Sequence, residues 1–210
     1  MKLYMVPLAP NPTKVCLYLA ERGSGAPSAE VEQIVVNTLK GRHKEPEHLA
    51  RNPFGTLPVL ELDDGTYIRE SLPIIEYFED KYPDGALRAD TPEAIAVARD
   101  IERIVDLRIA SPLGNYVHAV KSPIGLPPNP ERAAELKQNA QAGLDFLENE
   151  LADGRPLLAG DQVSIADCTL QATCQFLRFI EADVIGERPR LREWDERYRA
   201  RTAAQSVLQW

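Results

Sequence analysis

The sequence predicts two domains, an α/β unit ordered β-α-β-β-β-α over residues 1–82 and an all-helical unit over residues 91–210. Three observations carry that expectation. Short β-like runs alternate with helical patterns up to about residue 82, and beyond Thr91 apolar residues recur only at helical spacing. Between the two textures, Tyr82-Pro83-Asp84-Gly85 stops a helix and opens a linker that reaches Asp90.

Taken in order, Lys2 to Val6 reads as a strand, Pro12 to Arg22 as a helix and Glu32 to Asn37 as a second strand, which makes a βαβ unit. Leu57 to Leu62 and Thr66 to Ile68 are two short strands joined by Asp63-Asp64-Gly65, a hairpin turn signal. A helix starts near Ser71 and runs through Ile74, Ile75 and Phe78 to about Lys81. In the second half, Val97, Ile101, Ile104, Val105 and Ile109 mark one helix. Leu136, Ala140, Leu144, Leu147 and Leu151 mark another, and Ile165, Cys168, Ala172, Phe176 and Phe179 a third. The arginine run from Arg188 to Arg201 is interleaved with Glu193, Asp195 and Glu196 and reads as a solvated helix face.

A chain of 210 residues, 44% of them hydrophobic, buries enough apolar surface to fold without disulfides or metal. Cys16, Cys168 and Cys174 form an odd set with no CxxC pair, which argues against a disulfide framework and a zinc site and fits a reducing cytosol. No signal-peptide core and no bilayer-length apolar run occurs, so a soluble protein is expected. The net charge of −8 is divided evenly, with 9 basic and 13 acidic residues up to Gly85 and 15 and 19 beyond it. With no basic half, nucleic acid is excluded as a partner.

The segment NPFGTLPVLELDDGTYIRES, Asn52 to Ser71, carries the most chemistry. Pro58 cannot donate to a sheet ladder, so it marks either an edge position or a cis bond that presents neighbouring backbone to a ligand. Ser71 is a favoured N-cap residue, and the first N–H groups of the helix it opens suit a carboxylate, while Glu70 beside them suits an ammonium group. Together they match an α-amino acid head group; the alternative is that Ser71 only caps and Glu70 only complements the dipole.

The element order, the Leu57-Pro58 step, the Glu70-Ser71 pair and the helical second half together resemble the glutathione transferase family across essentially the whole chain. The resemblance implies a thioredoxin-like first domain in which Pro58 is cis. It implies that Glu70 and Ser71 hold the γ-glutamyl end of glutathione and that the backbone of Leu57 pairs with its cysteinyl unit. KGRHKEPEHLARNPFG, Lys40 to Gly55, is similar to the family's loop near the glycyl carboxylate, where His43 is the matching donor; Arg42, Lys44 and Arg51 are alternatives, and His48 and His118 read as uninvolved. VSIADCTL, Val163 to Leu170, resembles a folding motif of the family in which Ser164 caps a helix and Asp167 is buried against backbone N–H groups. A homodimer is also implied.

A thiol with a reference pKa of about 8.5 is only a few per cent thiolate at neutral pH, so a transferase must favour the anion. Pro12 suits the first helical position, which makes Asn11 the N-cap; it either only caps or also turns its amide toward the sulfur, with Thr13 and Tyr4 as lesser candidates. Ala9 sits where much of the family has a hydroxyl. Pro10-Asn11 with Lys14-Val15 instead resembles the bacterial Nu-class and fungal prion-related branch, which implies disulfide exchange beside conjugation. Cys16 lies too far along the helix to act as a redox cysteine. Arg103, Asp106, Arg108 and Tyr116 are candidates for the second-substrate pocket, Arg103 and Asp106 reading equally as a surface ion pair. The expected activity is activation of the glutathione thiol for attack on a small hydrophobic electrophile. Glutathione-dependent disulfide exchange and a non-catalytic carrier or interaction role are the alternatives, and glutathione is the only small-molecule requirement, with no metal.

Overall fold

Leu3, Tyr4 and Met5 are buried while Lys2 is exposed, so the first strand, β1 (Lys2–Met5), is a central strand with both faces covered. The computed structural model describes residues 1–209. β1 pairs in parallel with β2 (Glu32–Val35) and antiparallel with β3 (Val59–Glu61), which pairs antiparallel with β4 (Tyr67–Ile68), giving the order β2-β1-β3-β4. The β1–β2 crossover carries α1 (Pro10–Glu21), and α2 (Pro46–Arg51), a short helix the sequence pattern does not signal, follows β2. β3 and β4 are joined through Asp63-Asp64-Gly65, as the turn residues predict, with Gly65 at φ 85°. α3 (Ser71–Lys81) has the bounds the pattern predicts. Its Ile74, Ile75 and Phe78 are fully buried, each burial stabilising by roughly 1.5–3 kcal/mol.

Beyond the linker every regular element is helical among the described residues: α4 (Pro92–Ile104), a π-helical turn (Val105–Ala110), α5 (Ser111–Lys121), α6 (Pro130–Asn139), α7 (Gln141–Glu150), α8 (Ile165–Arg178), α9 (Pro189–Arg199) and α10 (Thr202–Val207). The π turn precedes Pro112, which has no N–H to give to an i−4 carbonyl, and the Ser111 N–H reaches back five residues to Asp106. The stripe from Leu136 to Leu151 is two helices, because the chain breaks at Ala140. Gly143 then packs so tightly that an added Cβ would lie 2.7 Å from Ile109 Cγ1. The arginine-rich segment is a helix, but not simply a solvated one: Leu191, Trp194 and Tyr198 are buried, and Asp195 is held by Arg178.

Helix α8 is buried on all sides from Ala166 to Leu177, so its polar residues require partners. Asp167, fully buried, accepts from the N–H of Leu158 (3.0 Å), the N–H and hydroxyl of Ser164 (2.9 and 2.7 Å) and the Trp194 indole (2.8 Å). Burial pushes its carboxyl pKa up while these four donors oppose the shift. α1 is buried from Pro12 to Leu19, packed against α8, α10 and α3. Lys14 there meets Glu102 of α4 at 2.6 Å, both side chains only 2% exposed, and Thr169 of α8 donates to the same carboxylate oxygen. This junction seats α1 firmly under the helical part, with its N-terminal turn at the boundary between them.

Candidate functional site

Helix α1 begins two residues earlier than the expected Pro12. Pro10 occupies the first helical position and Ala9, with extended backbone, is the N-cap; Asn11 lies inside the first turn. The reason is that Pro10, as much as Pro12, is preset for a helical φ and needs no hydrogen-bond partner for a missing N–H. Since Pro10 and Pro12 have no N–H and Thr13 donates to the Ala9 carbonyl, the first turn keeps one free backbone donor, that of Asn11. Helix α3 is shifted in the same way, with Glu70 as N-cap and Ser71 as its first residue. Pro73 lacks an N–H and Ile74 bonds to the Glu70 carbonyl, which leaves the N–H groups of Ser71 and Leu72. The two helix starts meet: the buried Ser71 hydroxyl donates to Asn11 Oδ1 at 3.3 Å.

Asn11, His43 and Leu57 line one cleft of about 540 Å³, and Glu70 and Ser71 adjoin it through Asn11. Leu57-Pro58 is a cis peptide bond, as the resemblance implies. Leu8 reaches the cleft from the loop after β1 at φ 72°, a left-handed conformation that is rare for leucine. His43 sits in a short turn opened by Gly41, and its buried Nδ1 has no partner. Burial first, then the neighbouring charges of Lys44 and His48, hold its pKa below the usual 6.5, so the ring is neutral at physiological pH. Among the alternative cations, Lys44 lines the cleft, whereas Arg42 pairs with Glu45 and Arg51 with Glu47.

The opposite wall is apolar. Phe176 of α8 and Phe179 just past its end stack with centroids 6.4 Å apart, His118 of α5 meets Phe176 edge-on at 5.6 Å, and Pro123 and Ile124 close the rim. Burial lowers the His118 pKa as well, and its Nδ1 lies 2.9 Å from Ser122 Oγ. Sequence reasoning set His118 aside. No sequence signal marks it, because its place beside Phe176 depends on how α5 packs against α8.

The predicted second-substrate residues lie elsewhere. Arg103 and Asp106 pair at 2.7 Å, Arg103 at the edge of a separate cleft between α3 and α4. Arg108 is exposed, and Tyr116 packs on Ala119, Ala133 and Leu136 at the α5–α6 contact. Tyr116 and His118 are two positions apart and so face opposite sides of α5. The lesser thiol candidates are also engaged: Thr13 is buried and accepts from Gln175 of α8 at 3.4 Å, and Tyr4 donates to Glu61 at 2.6 Å. Burial and that bond push the Tyr4 pKa up to about 12. Cys16 is buried, its thiol pushed up to about 11, and it does not line this cleft.

A family model for the glutathione S-transferase N-terminal domain matches residues 3–86, and one for the C-terminal domain matches residues 130–197. Glutathione S-transferase 2 of Saccharomyces cerevisiae is 33% identical over 213 residues, covering 100% of this chain and 90% of that protein. Glutathione S-transferase 3 of Zea mays is 30% identical, covering 99% of this chain and 93% of that protein. The crystal structure of Gtt2 from Saccharomyces cerevisiae matches with a TM-score of 0.87 at 34% identity, over 99% of this chain and 100% of that one. That of a glutathione S-transferase domain-containing protein from Marinobacter aquaeolei VT8 matches with 0.86 at 31% identity, over 97% and 100%. With both halves matched and relatives spanning both, the chain belongs to the glutathione S-transferase family.

Proposed function

We propose that the chain is a cytoplasmic glutathione transferase that binds glutathione along the α1, β3 and α3 side of the cleft and conjugates it to a hydrophobic electrophile resting on Phe176 and Phe179. The observation that carries this reading is the Ser71–Asn11 bond, which joins the two helix starts at the cleft. The free N–H groups of Ser71 and Leu72 take the γ-glutamyl carboxylate, and exposed Glu70 takes its ammonium. The Leu57 backbone pairs with the cysteinyl unit. Lys44 and neutral His43 take the glycyl carboxylate, the first as a charge and the second as a hydrogen-bond donor.

With its Oδ1 engaged by Ser71, Asn11 turns its Nδ2 hydrogens, together with its own backbone N–H, toward the sulfur. One charge-assisted bond stabilises the thiolate by roughly 1.5–3 kcal/mol, and the helix start adds about 0.3–1 kcal/mol. Together these meet the roughly 2.7 kcal/mol needed to lower a thiol pKa by about two units. Neutral His118 across the cleft is placed to receive the departing proton. Calorimetric binding of glutathione and turnover with chlorodinitrobenzene and with a mixed disulfide test the assignment. Binding with conjugation is the expected result, and no binding at millimolar glutathione contradicts it.

One observation favours a second reading. Ala9 caps α1 without a hydroxyl to offer the sulfur. Binding without turnover on either substrate would make the chain a carrier built on the same fold, and turnover on the disulfide alone would make it an oxidoreductase. A homodimer accompanies either activity. Phe54 is 70% exposed beside the site, and the cleft between α3 and α4 is lined by apolar Leu72, Ile95, Ala98 and Ile165, a self-complementary pair suited to two-fold association.

A further inference from the structure

The Leu57 N–H must face the cleft for glutathione to pair with it, and a peptide group on an exposed turn is free to rotate unless something holds it. Thr56 is exposed, yet its carbonyl is held from behind by two buried side chains. His48 Nε2 lies 3.1 Å from the Thr56 oxygen and Asn52 Nδ2 lies 3.0 Å from it; His48 is 2% exposed and Asn52 fully buried. A carbonyl oxygen only accepts, so His48 carries its proton on Nε2. Asn52 also donates to Thr56 Oγ1 at 2.8 Å, and its own Oδ1 and carbonyl accept from the N–H groups of Phe54 and Gly55 at 3.2 and 2.9 Å. The Asn52 N–H in turn donates to the His48 carbonyl at 2.9 Å, so clamp and turn form one unit.

Among the described residues the cis bonds are Ala26-Pro27 and Leu57-Pro58, so the Thr56–Leu57 peptide is trans. In a trans peptide the C=O and the following N–H point in opposite directions. Drawing the Thr56 carbonyl inward onto His48 and Asn52 therefore turns the Leu57 N–H outward, on the side where Thr56 and Leu57 line the cleft. We propose that His48, together with Asn52, is a positioning residue for glutathione binding, acting through the Thr56 carbonyl to aim the Leu57 N–H at the ligand. Neither side chain touches the ligand. This rests on the glutathione reading above.

The test compares His48→Leu, which fills the space without a donor, with His48→Gln, whose amide nitrogen reaches about as far as Nε2. The readouts are glutathione Kd by calorimetry, the KM and kcat split for conjugation, and circular dichroism to show that each variant is folded. His48→Leu raises Kd and KM for glutathione about tenfold with kcat at saturation within about twofold, and His48→Gln restores Kd to within about threefold. A folded His48→Leu with unchanged Kd overturns the proposal, as does a His48→Gln no better than His48→Leu. If His48→Leu does not fold, His48→Gln against Asn52→Asp, which removes the donor to Thr56, makes the same comparison with the same expected contrast. Glutathione binding by the unaltered protein separates the two claims: its absence overturns the transferase reading and this one together, whereas its presence with insensitive variants overturns this one alone.

Discussion

Asn11 is the residue on which the proposed chemistry turns, because the prolines on either side leave it the one free amide in the first turn of α1. Losing a charge-assisted bond of roughly 1.5–3 kcal/mol moves a thiol pKa by about 1–2 units. Asn11→Ala therefore lowers turnover near pH 6.5 by about 5- to 50-fold and approaches the unaltered protein above about pH 9, where either thiol is largely ionised; the pH profile of kcat/KM checks this. The histidines give a second prediction. Burial holds His43 and His118 below the usual 6.5, so between the folded and unfolded values the unfolded chain binds more protons. Their contribution to stability is present above about pH 6.5 and is lost as pH falls below it, so Tm drops from neutral to acid pH and drops less in His118→Gln. The proposed places of Glu70 and Ser71 are legible in the sequence because a cap signal is local, and that of Leu57 because the resemblance supplies it. His118 is not legible and Lys44 stands only as one of three alternatives to His43, since only the packing of α5 and the turn at Gly41 decide which of several polar side chains reaches the cleft.

At the level of elements, six expected units of the first half stand where the alternation of strand and helix patterns places them, and α3 is matched to the residue. At the site the N-caps differ from the expected ones, Ala9 standing in place of Asn11 and Glu70 in place of Ser71, because Pro10 and Ser71 suit the first helical position. The break at Ala140 carries no sequence signal since the apolar stripe continues across it, and α9 reads as solvated because Trp194 and Tyr198 are outnumbered by charged residues. The start of α8 is the element where local and tertiary demands converge. Asp167 serves four donors there, and Asp167→Ala leaves them buried without it, at about 1–3 kcal/mol each where water cannot enter. A loss of at least about 3 kcal/mol, seen as a Tm lowered by roughly 6–12 °C, is the expected result. Asp167→Asn falls between, because an amide offers one oxygen where the carboxylate offers two.

Across the whole molecule, the α/β and helical parts meet through α1 and α8, and their junction contains an ion pair no periodicity foretells. Lys14 and Glu102 are 88 residues apart and 2% exposed. Glu102→Ala strands a buried ammonium and costs about 3–5 kcal/mol, whereas the double replacement Lys14→Met with Glu102→Leu recovers most of that loss; denaturant unfolding of the three variants checks it. The same scale governs assembly. Phe54→Asp, which places a charge on the exposed face proposed to dock into a second copy, shifts the protein toward monomer in sedimentation while leaving its circular dichroism unchanged.

These scales meet in one claim, that glutathione lies in the cleft as its thiolate beside Asn11. It is tested most directly by titrating the thiolate absorbance of the glutathione complex against pH. The account predicts a bound thiol that ionises about two units below the reference of about 8.5. A bound thiol that titrates at the free value, or a protein that takes up no glutathione at millimolar concentration, would contradict it.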